Sequence, residues 1–257
     1  MTNLYPPYVI GGNEIFTHNI VEALRSRGHT VHILTGQGKE FPQDGYTHQV
    51  FNLELDYKED IFLGGLPLTT QRLVQWHLFS PSAYQRVLHT LHTLQPDLIV
   101  AANLYMASAA PLLAARRLSC PLIAQPMDKW LVYLLKDLGL LIPATTLRHR
   151  VALAVIKRTV QPLLNRWGAP DYLLPVSEFI RRFHLRAGYS AAQSRAIYLG
   201  IPLQRFSYQP HPHPAQRPWR LLFAGQLWEG KGPQVAIEAV SRLRNDPTLP
   251  PVELDIF

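Results

Sequence analysis

Apolar positions along the 257-residue chain switch repeatedly between two rhythms. One is helical, with apolar residues three and four apart; the other is a short, nearly continuous apolar run. Ile15, Phe16, Ile20, Ala23 and Leu24 keep the helical rhythm from a candidate N-cap at Asn13 to a stop at Gly28. HTVHILTG (29–36) then predicts a strand. A second helical pattern runs from Leu73 to Leu94 and is broken at Pro96. DLIVAANL (97–104) is a run of the kind buried on both faces of a parallel sheet. A helix over 106–118 leads to a similar run, CPLIAQPM (120–127). A third, YLLPVS (172–177), ends in Ser177, which is placed to cap a helix beginning at Glu178. Such alternation predicts an α/β fold, a parallel sheet covered by helices.

The rhythm stops in SYQPHPHPAQRP, where proline repeats without periodicity, so residues 206–218 read as a linker. The chain therefore divides into an N-terminal Rossmann-like domain over 1–205 and a second α/β segment over 219–257. In the latter RLLFAG predicts a strand, GPQVAIEAVSRLR a helix and VELDIF another strand. About forty residues are too few to bury a doubly wound sheet of their own.

Composition narrows the class. With 47% hydrophobic and 17% charged residues the chain reads as globular, and no apolar run reaches the roughly 18 to 20 residues of a spanning helix. MTNLYPPYVIGG has neither a charged start nor an apolar stretch, so a cytoplasmic location is expected. A single cysteine, Cys120, excludes an internal disulfide and reads as a small packing residue. The formal charge of +7 and pI near 9.6 favour an anionic partner: nucleic acid, anionic lipid or a phosphorylated substrate. No helix-turn-helix or aromatic-platform signature supports nucleic acid. The 11 histidines form no HExxH pattern or ligand cluster, so no metal and no cofactor are expected, and no GxSxG elbow is present. Basic residues gather at Arg148, His149, Arg150, Lys157, Arg158 and Arg166 beside Leu147, Val151, Val155 and Ile156. This helix either rests on an anionic membrane face or presents a solvated face over a buried stripe.

Chemistry concentrates in a few segments. YPPYVIGGNE (5–14) sets Gly11 and Gly12 directly before a helix, which suits either a tight strand-to-helix turn or the approach of a phosphate to backbone N–H groups. Together with LRSRGHTVHILTG (24–36), PVSEFIRRF (175–183), IYLGIPLQRF (197–206) and LLFAGQLWEGKGPQVAIEAV (221–240), it resembles the family 4 glycosyltransferases in order and spacing. The resemblance implies a GT-B fold of two facing Rossmann-like domains. It also implies retaining, metal-free transfer of a hexose-type sugar from a UDP- or GDP-sugar to a glycan or lipid-linked acceptor, with the donor as substrate rather than cofactor.

Charge developing on the leaving diphosphate calls for fixed cations. The family's Arg and Lys correspond here to Gln226 and Lys231, so Lys231 carries over as the diphosphate contact while Gln226 replaces a cation by an amide. AQPMDKWLV (124–132) resembles the region of the family's His-Asp pair, with Met127 in the place of the histidine and Asp128 in that of the aspartate; Trp130 is expected on the site wall. Glu178 matches the family's Ser-Glu pair, although a first-turn carboxylate also serves the helix dipole. Gly200 and Pro202 match its turn near the inter-domain cleft.

Against the family pattern, only MTNL precedes Tyr5 where a central strand is expected, and the family's glutamate-rich donor motif does not follow Phe257. These departures predict an incomplete transferase, inactive as the isolated chain, with unpaired neighbours around the strand. The alternative is a non-catalytic acceptor-binding fragment or split-gene remnant; a GT-B epimerase lacks the paired acid/base residues it would need.

Overall fold

The computed structural model describes residues 1–54, 79–136, 147–201, 203, 208, 210 and 218–257. It divides into two compact units, Met1–Gly200 and Ile201–Phe257. The N-terminal unit contains α1 (Gly12–Arg25), β1 (Ile33–Gln37), β2 (Thr47–Glu54), α2 (Pro81–Leu94), β3 (Ile99–Ala101), α3 (Ala110–Ala115), β4 (Leu122–Ala124), α4 (Trp130–Leu135), α5 (Leu147–Gly168), β5 (Tyr172–Leu173) and α6 (Glu178–Arg186). The second unit carries β6 (Trp219–Phe223), a short 3-10 turn over Glu229–Lys231, α7 (Pro233–Arg244) and β7 (Val252–Ile256). Every strand pair is parallel: β1 with β2, β3–β4–β5 in that order, and β6 with β7. The α/β class read from periodicity is thus the class observed.

The residues before Tyr5 fill more of the sheet than their number suggests. The Thr2 amide donates to the Leu34 carbonyl (3.0 Å) and the Gly36 amide to that of Asn3 (3.2 Å), on the β1 side. On the β3 side the Met1 nitrogen donates to Val100 (2.7 Å), the Ala102 amide to Met1 (2.9 Å) and the Asn3 amide to Asn103 (2.7 Å). The expected unpaired neighbours are therefore corrected: a few residues join the β1–β2 pair to β3, because each extended residue can satisfy both sides with its own amide and carbonyl.

Most of the core lies on one face of this sheet. Ile99, Ala101, Leu122, Ala124 and Leu173 pack with Val87 and Leu91 of α2, Leu112 of α3, Trp130, Leu131 and Leu135 of α4, and Leu164 of α5. A second cluster gathers Leu4, Tyr5, Tyr8, Val21, Ile33 and Phe41. Gly38 is required there, since a Cβ would stand 2.3 Å from the Tyr8 ring, whose hydroxyl accepts from the Glu40 amide at 3.0 Å. The expectation that 97–104 is buried on both faces does not hold: Ile99 and Ala101 are buried, while Leu98 and Val100 remain 48% and 37% exposed. The helices of the main core cover only the face of Ile99 and Ala101.

Boundaries shift where capping differs from the sequence reading. Gly11, not Asn13, is the N-cap of α1, and the helix closes at Ser26, with Gly28 following in the left-handed region at φ 89°. α2 starts at Pro81 because Ser80 caps it, its hydroxyl accepting from the Ala83 amide; residues 73–78 of the expected helix lie outside the described residues. Ser177 caps α6 as expected, accepting from the Ile180 amide at 3.2 Å. The linker assigned to 206–218 lies outside the described residues except for Tyr208, Pro210 and Pro218, and Pro202 is likewise outside them. Among the described residues no helix is long and apolar enough to cross a membrane, and no three His, Cys, Asp or Glu side chains group as a metal site would require.

Candidate functional site

The segments that leave the C-terminal ends of β3 and β4 enclose, with the start of α1, a cavity of 620 Å³. In parallel sheets ligands bind at this end, where loops rather than helices meet the strands. Gly11, Gly12, Asn13 and Glu14 line one side, Asn103, Tyr105 and Met106 another, and Met127, Asp128, Lys129 and Tyr133 a third. Ile180 of α6 closes it.

A carboxamide pair holds the floor. Asn3 donates through Nδ2 to Oδ1 of Asn103 (3.1 Å), and the same Asn103 oxygen accepts from the Tyr105 amide (3.0 Å). Oδ1 of Asn3 in turn accepts from the Met106 amide at 3.2 Å. These bonds fix the loop after β3, so that Tyr105 faces Tyr133 with ring centroids 6.5 Å apart. Burial raises the Tyr105 hydroxyl above its ordinary value, with Tyr133 and Asp128 adding to the rise, and the phenol stays neutral and able to donate.

The glycine turn is organised by Glu14. Its Oε2 accepts from the Gly11 amide at 2.8 Å and the Ile10 amide at 3.3 Å, and the residue is buried. A carboxylate at the third helical position satisfies amides that helix formation leaves without partners. It also places a negative charge where a phosphate would otherwise sit. A Cβ on Gly11 or Gly12 would meet nothing within 4 Å, so neither glycine is demanded by internal packing and the turn leaves open space beside the cavity.

Asp128 lines the cavity and accepts through Oδ1 from the Trp130 amide at 2.7 Å, starting α4. Burial raises its carboxyl above the ordinary value, while the Trp130 amide and the nearby imidazole of His184 pull the other way. The imidazole interacting electrostatically with Asp128 is thus His184 of α6, not a neighbour in sequence; Met127 simply lines the cavity. His184 is fully buried, its Nδ1 donates to the Ile180 carbonyl at 2.8 Å, and its Nε2 has no partner. Burial lowers the imidazole below its ordinary value and keeps it neutral, against the Ile180 hydrogen bond and Asp128. No motif marks His184; its one trace in sequence is a polar residue four positions after Ile180 on the buried face of an amphipathic helix.

Two residues expected at the site do not line this cavity and make contacts elsewhere. Trp130 is 1% exposed within the main core and donates through Nε1 to the Ala102 carbonyl at 3.1 Å, because an indole in the core needs a partner for its N–H. Glu178 accepts from Arg181 Nη1 (3.1 Å) and Arg182 Nε (3.2 Å), one turn along its own helix. Both leave the cavity to Ile180.

Lys231 and Gln226 belong to the second unit, and both are exposed. The Lys231 amide donates to the Trp228 carbonyl at 3.0 Å, closing the turn before Gly232. Gly232 caps α7 at φ 80°, in the left-handed region, and Pro233 follows at the first turn. A lysine thus stands directly before a helix N-terminus whose first turn contains no acidic residue. Positive charge and helix dipole act in the same sense there.

Residues 10–205 match the model of a family described as Glycosyltransferase Family 4. Among solved structures, the chain is similar to the crystal structure of CalG4, the calicheamicin glycosyltransferase, at 17% identity and a TM-score of 0.48. That similarity covers 92% of this chain and 59% of the other, so this chain spans less than two thirds of that protein's length. Among curated proteins none matches the sequence.

Proposed function

The chain belongs to Glycosyltransferase Family 4, and from that premise we propose that it transfers a hexose-type sugar, with retention and without a metal, from a UDP- or GDP-sugar to a glycan or glycolipid acceptor. The observation that carries the reading is the 620 Å³ cavity at the strand ends, lined by the glycine turn, by carboxamide and tyrosine side chains and by Asp128, inside the region of the family match. Hydrogen-bonding groups set among the carboxyl groups of Glu14 and Asp128, with Lys129 beside them, suit an acceptor rich in hydroxyl groups. The donor diphosphate belongs with the second unit, where Lys231 precedes a helix N-terminus and meets the charge that builds on the leaving group. The two units work as a GT-B pair, Gln226 contacts the donor as a neutral amide, and Gly11 and Gly12 keep the acceptor side clear. The protein works in the cytoplasm, peripheral to the inner face of the membrane, in assembling polysaccharide or glycolipid.

Labelled UDP- and GDP-hexoses offered to protein carrying both units test this. Transfer with the anomeric configuration kept, unaffected by EDTA, is expected. Asp128→Asn should reduce turnover by about a hundredfold. Melting should not fall, since asparagine keeps the oxygen that accepts from Trp130 and carries no buried charge. No transfer from either nucleotide class would sink the reading, and loss with EDTA restored by a divalent ion would sink its metal-free part.

A second reading, a non-catalytic acceptor-binding protein, draws on the family match lying over the N-terminal unit, where the cavity is. Saturable glycan binding that survives Asp128→Asn, without any turnover, would favour it.

A further inference from the structure

Two histidines meet at the edge of the sheet, apart from the cavity. His32 stands directly before β1 and His48 is the second residue of β2, and Nδ1 of His32 lies 3.0 Å from Nε2 of His48. Each continues the row of an apolar residue two positions on, Leu34 in β1 and Val50 in β2, both in the main core. Leu34 and His48 are partners in the register of the two strands. Both imidazoles are half-buried, where that core gives way to solvent. They stand at the N-terminal ends of β1 and β2, whereas the cavity opens at the C-terminal ends of β3 and β4.

Charge around the pair does not oppose a cation. Asp44 leads into β2, its Oδ1 accepting from the Tyr46 and Thr47 amides at 2.8 and 3.0 Å, and its negative charge acts on His48. The Tyr46 ring flanks His32 at a centroid distance of 5.3 Å. Arg25 lies over the Tyr46 ring at 5.2 Å, but Glu22 (3.1 Å) and the Val31 carbonyl (2.8 Å) hold its guanidinium. An imidazole nitrogen bonds a late divalent ion at about 2.0 to 2.1 Å, so two nitrogens at right angles around one ion stand about 3 Å apart. The two rings already present that separation. Without an ion, one ring donates an N–H to the other; a bound ion takes that proton's place, and the proton moves to the outer nitrogen of its own ring. Among the described residues no third His, Cys, Asp or Glu joins them in a closed centre, which leaves the remaining positions on the ion to water.

We propose that His32 and His48 form a two-histidine chelate for a late first-row divalent ion, copper ahead of nickel and zinc, which clips β1 to β2 across the connection at 38–46. The order follows the affinity of these ions for imidazole, and ligands at right angles suit the tetragonal geometry of copper and nickel. Magnesium and calcium, which take oxygen ligands, do not enter the site. The ion takes no part in sugar transfer, since it is held at the opposite strand ends from the cavity. EDTA that strips it therefore leaves the expected transfer unaffected.

Calorimetric titration of the full chain, free of any histidine tag, with copper tests it. Copper should fill a site that magnesium leaves empty, and its electron paramagnetic resonance should show coupling to a pair of imidazole nitrogens. His48→Gln leaves a single imidazole and should weaken copper binding by about a hundredfold, because the second nitrogen of a chelate is presented at high effective concentration. Copper at about 100 times its dissociation constant should raise the melting temperature of the parent by roughly 5 to 10 °C. His48→Gln should show no such rise over its own metal-free value, a comparison that stays readable if the substitution itself lowers stability. His89→Ala with His92→Ala removes the exposed histidines of α2 and should change neither readout. Absence of binding, parental affinity in His48→Gln, or loss of binding in the α2 variant overturns the proposal. Because titration does not read turnover, failed sugar transfer leaves the site standing, and failed copper binding leaves the transferase reading standing.

Discussion

Two glycine turns open two helices in this molecule, and different side chains stand nearest their helix ends. Before α1, the amides of Ile10 and Gly11 are held by the buried carboxylate of Glu14. Before α7, the turn carries exposed Glu229 and Lys231, the lysine standing nearer the helix, with Gly232 in the left-handed region and no acidic residue in the first turn of α7 itself. Either helix end alone would favour an anion. The internal carboxylate cancels that preference at α1, whereas the lysine strengthens it at α7. A Gly-rich turn thus says where backbone is accessible, and the charge placed beside it says for what; on the function proposed above, that is hydroxyl groups at the first turn and a diphosphate at the second.

The largest test of this contrast is Lys231→Ala in protein carrying both units. It removes a fixed cation from the leaving group and should raise the barrier by about 2.7 to 4 kcal/mol, the scale of losing one preorganised donor. Turnover should fall while melting is unaffected, because the side chain is exposed. Steady-state kinetics showing an unchanged kcat would take Lys231 out of the site and erase the contrast.

A smaller effect is expected at the other turn. Glu14→Ala leaves the Ile10 and Gly11 amides without their acceptor and should cost about 1 to 2 kcal/mol of stability, as for other lost N-terminal caps. Chemical denaturation reads this directly. The same variant should bind an inorganic phosphate more readily than the parent, because the competing carboxylate is gone. Stability equal to the parent, or phosphate binding weaker than the parent's, would show that Glu14 does not set the turn's character.

The strand and helix order was legible from periodicity because burial is one-sided over most of the chain: Val87 and Leu91 on α2, or Ile99 and Ala101 on β3, sit in the core that their spacing implies. Capping was legible only where a side chain does it. Ser177 before α6 was read correctly, and Ser80–Pro81 carried an equally clear start for α2 beneath the longer apolar pattern. The cap of α1 is a glycine whose amide is held from within the helix by Glu14, so the side-chain rule pointed to Asn13 instead. Gly11, Gly12 and Asp128, singled out because their motifs are local, line the same cavity. Trp130 stands two residues from Asp128 and was expected beside it, but the first turn of α4 rotates the indole into the core. Asn3, Asn103 and His184 were missed for a common reason: they meet through pairings about a hundred residues apart or through the packing of α6, and neither leaves a periodic trace.

The surroundings of the first turn should also give the N-terminal unit a pH dependence. His184 is held neutral by burial, with its folded value below the ordinary 6.5 of an unfolded imidazole. The unfolded chain therefore binds the proton first, and stability falls as pH drops through 6.5 toward the lower folded value. His48 acts in the same direction, lowered by burial and by His32, whose Nδ1 lies 3.0 Å from its Nε2. Asp128 has the opposite sense in a more acidic window: its carboxyl is raised above 3.8, so protonation favours the fold as pH falls through its folded value. Melting temperature measured against pH should decline on acidification below neutrality, and the slope should shrink in His184→Gln. An identical slope in that variant would remove His184 as a source of the proton uptake.

The smallest expected effect separates scaffold from site at α6. Glu178 has its side chain 37% exposed, and both of its partners, Arg181 and Arg182, lie on its own helix. Its charge also sits on the helix dipole at the N-terminal turn. Glu178→Gln keeps the shape and an oxygen acceptor but removes the charge, so it should cost about 0.3 to 1 kcal/mol, most of it lost to screening in high salt. Ser177 still caps the helix, and Ile180 still closes the cavity from the next turn. Acceptor affinity should therefore stay at the parent value while the denaturation midpoint moves slightly. A drop in acceptor affinity or turnover beyond what that midpoint shift explains would return Glu178 to the site and mean that α6 contributes a charge, not only Ile180 and the buried His184, to the acceptor side.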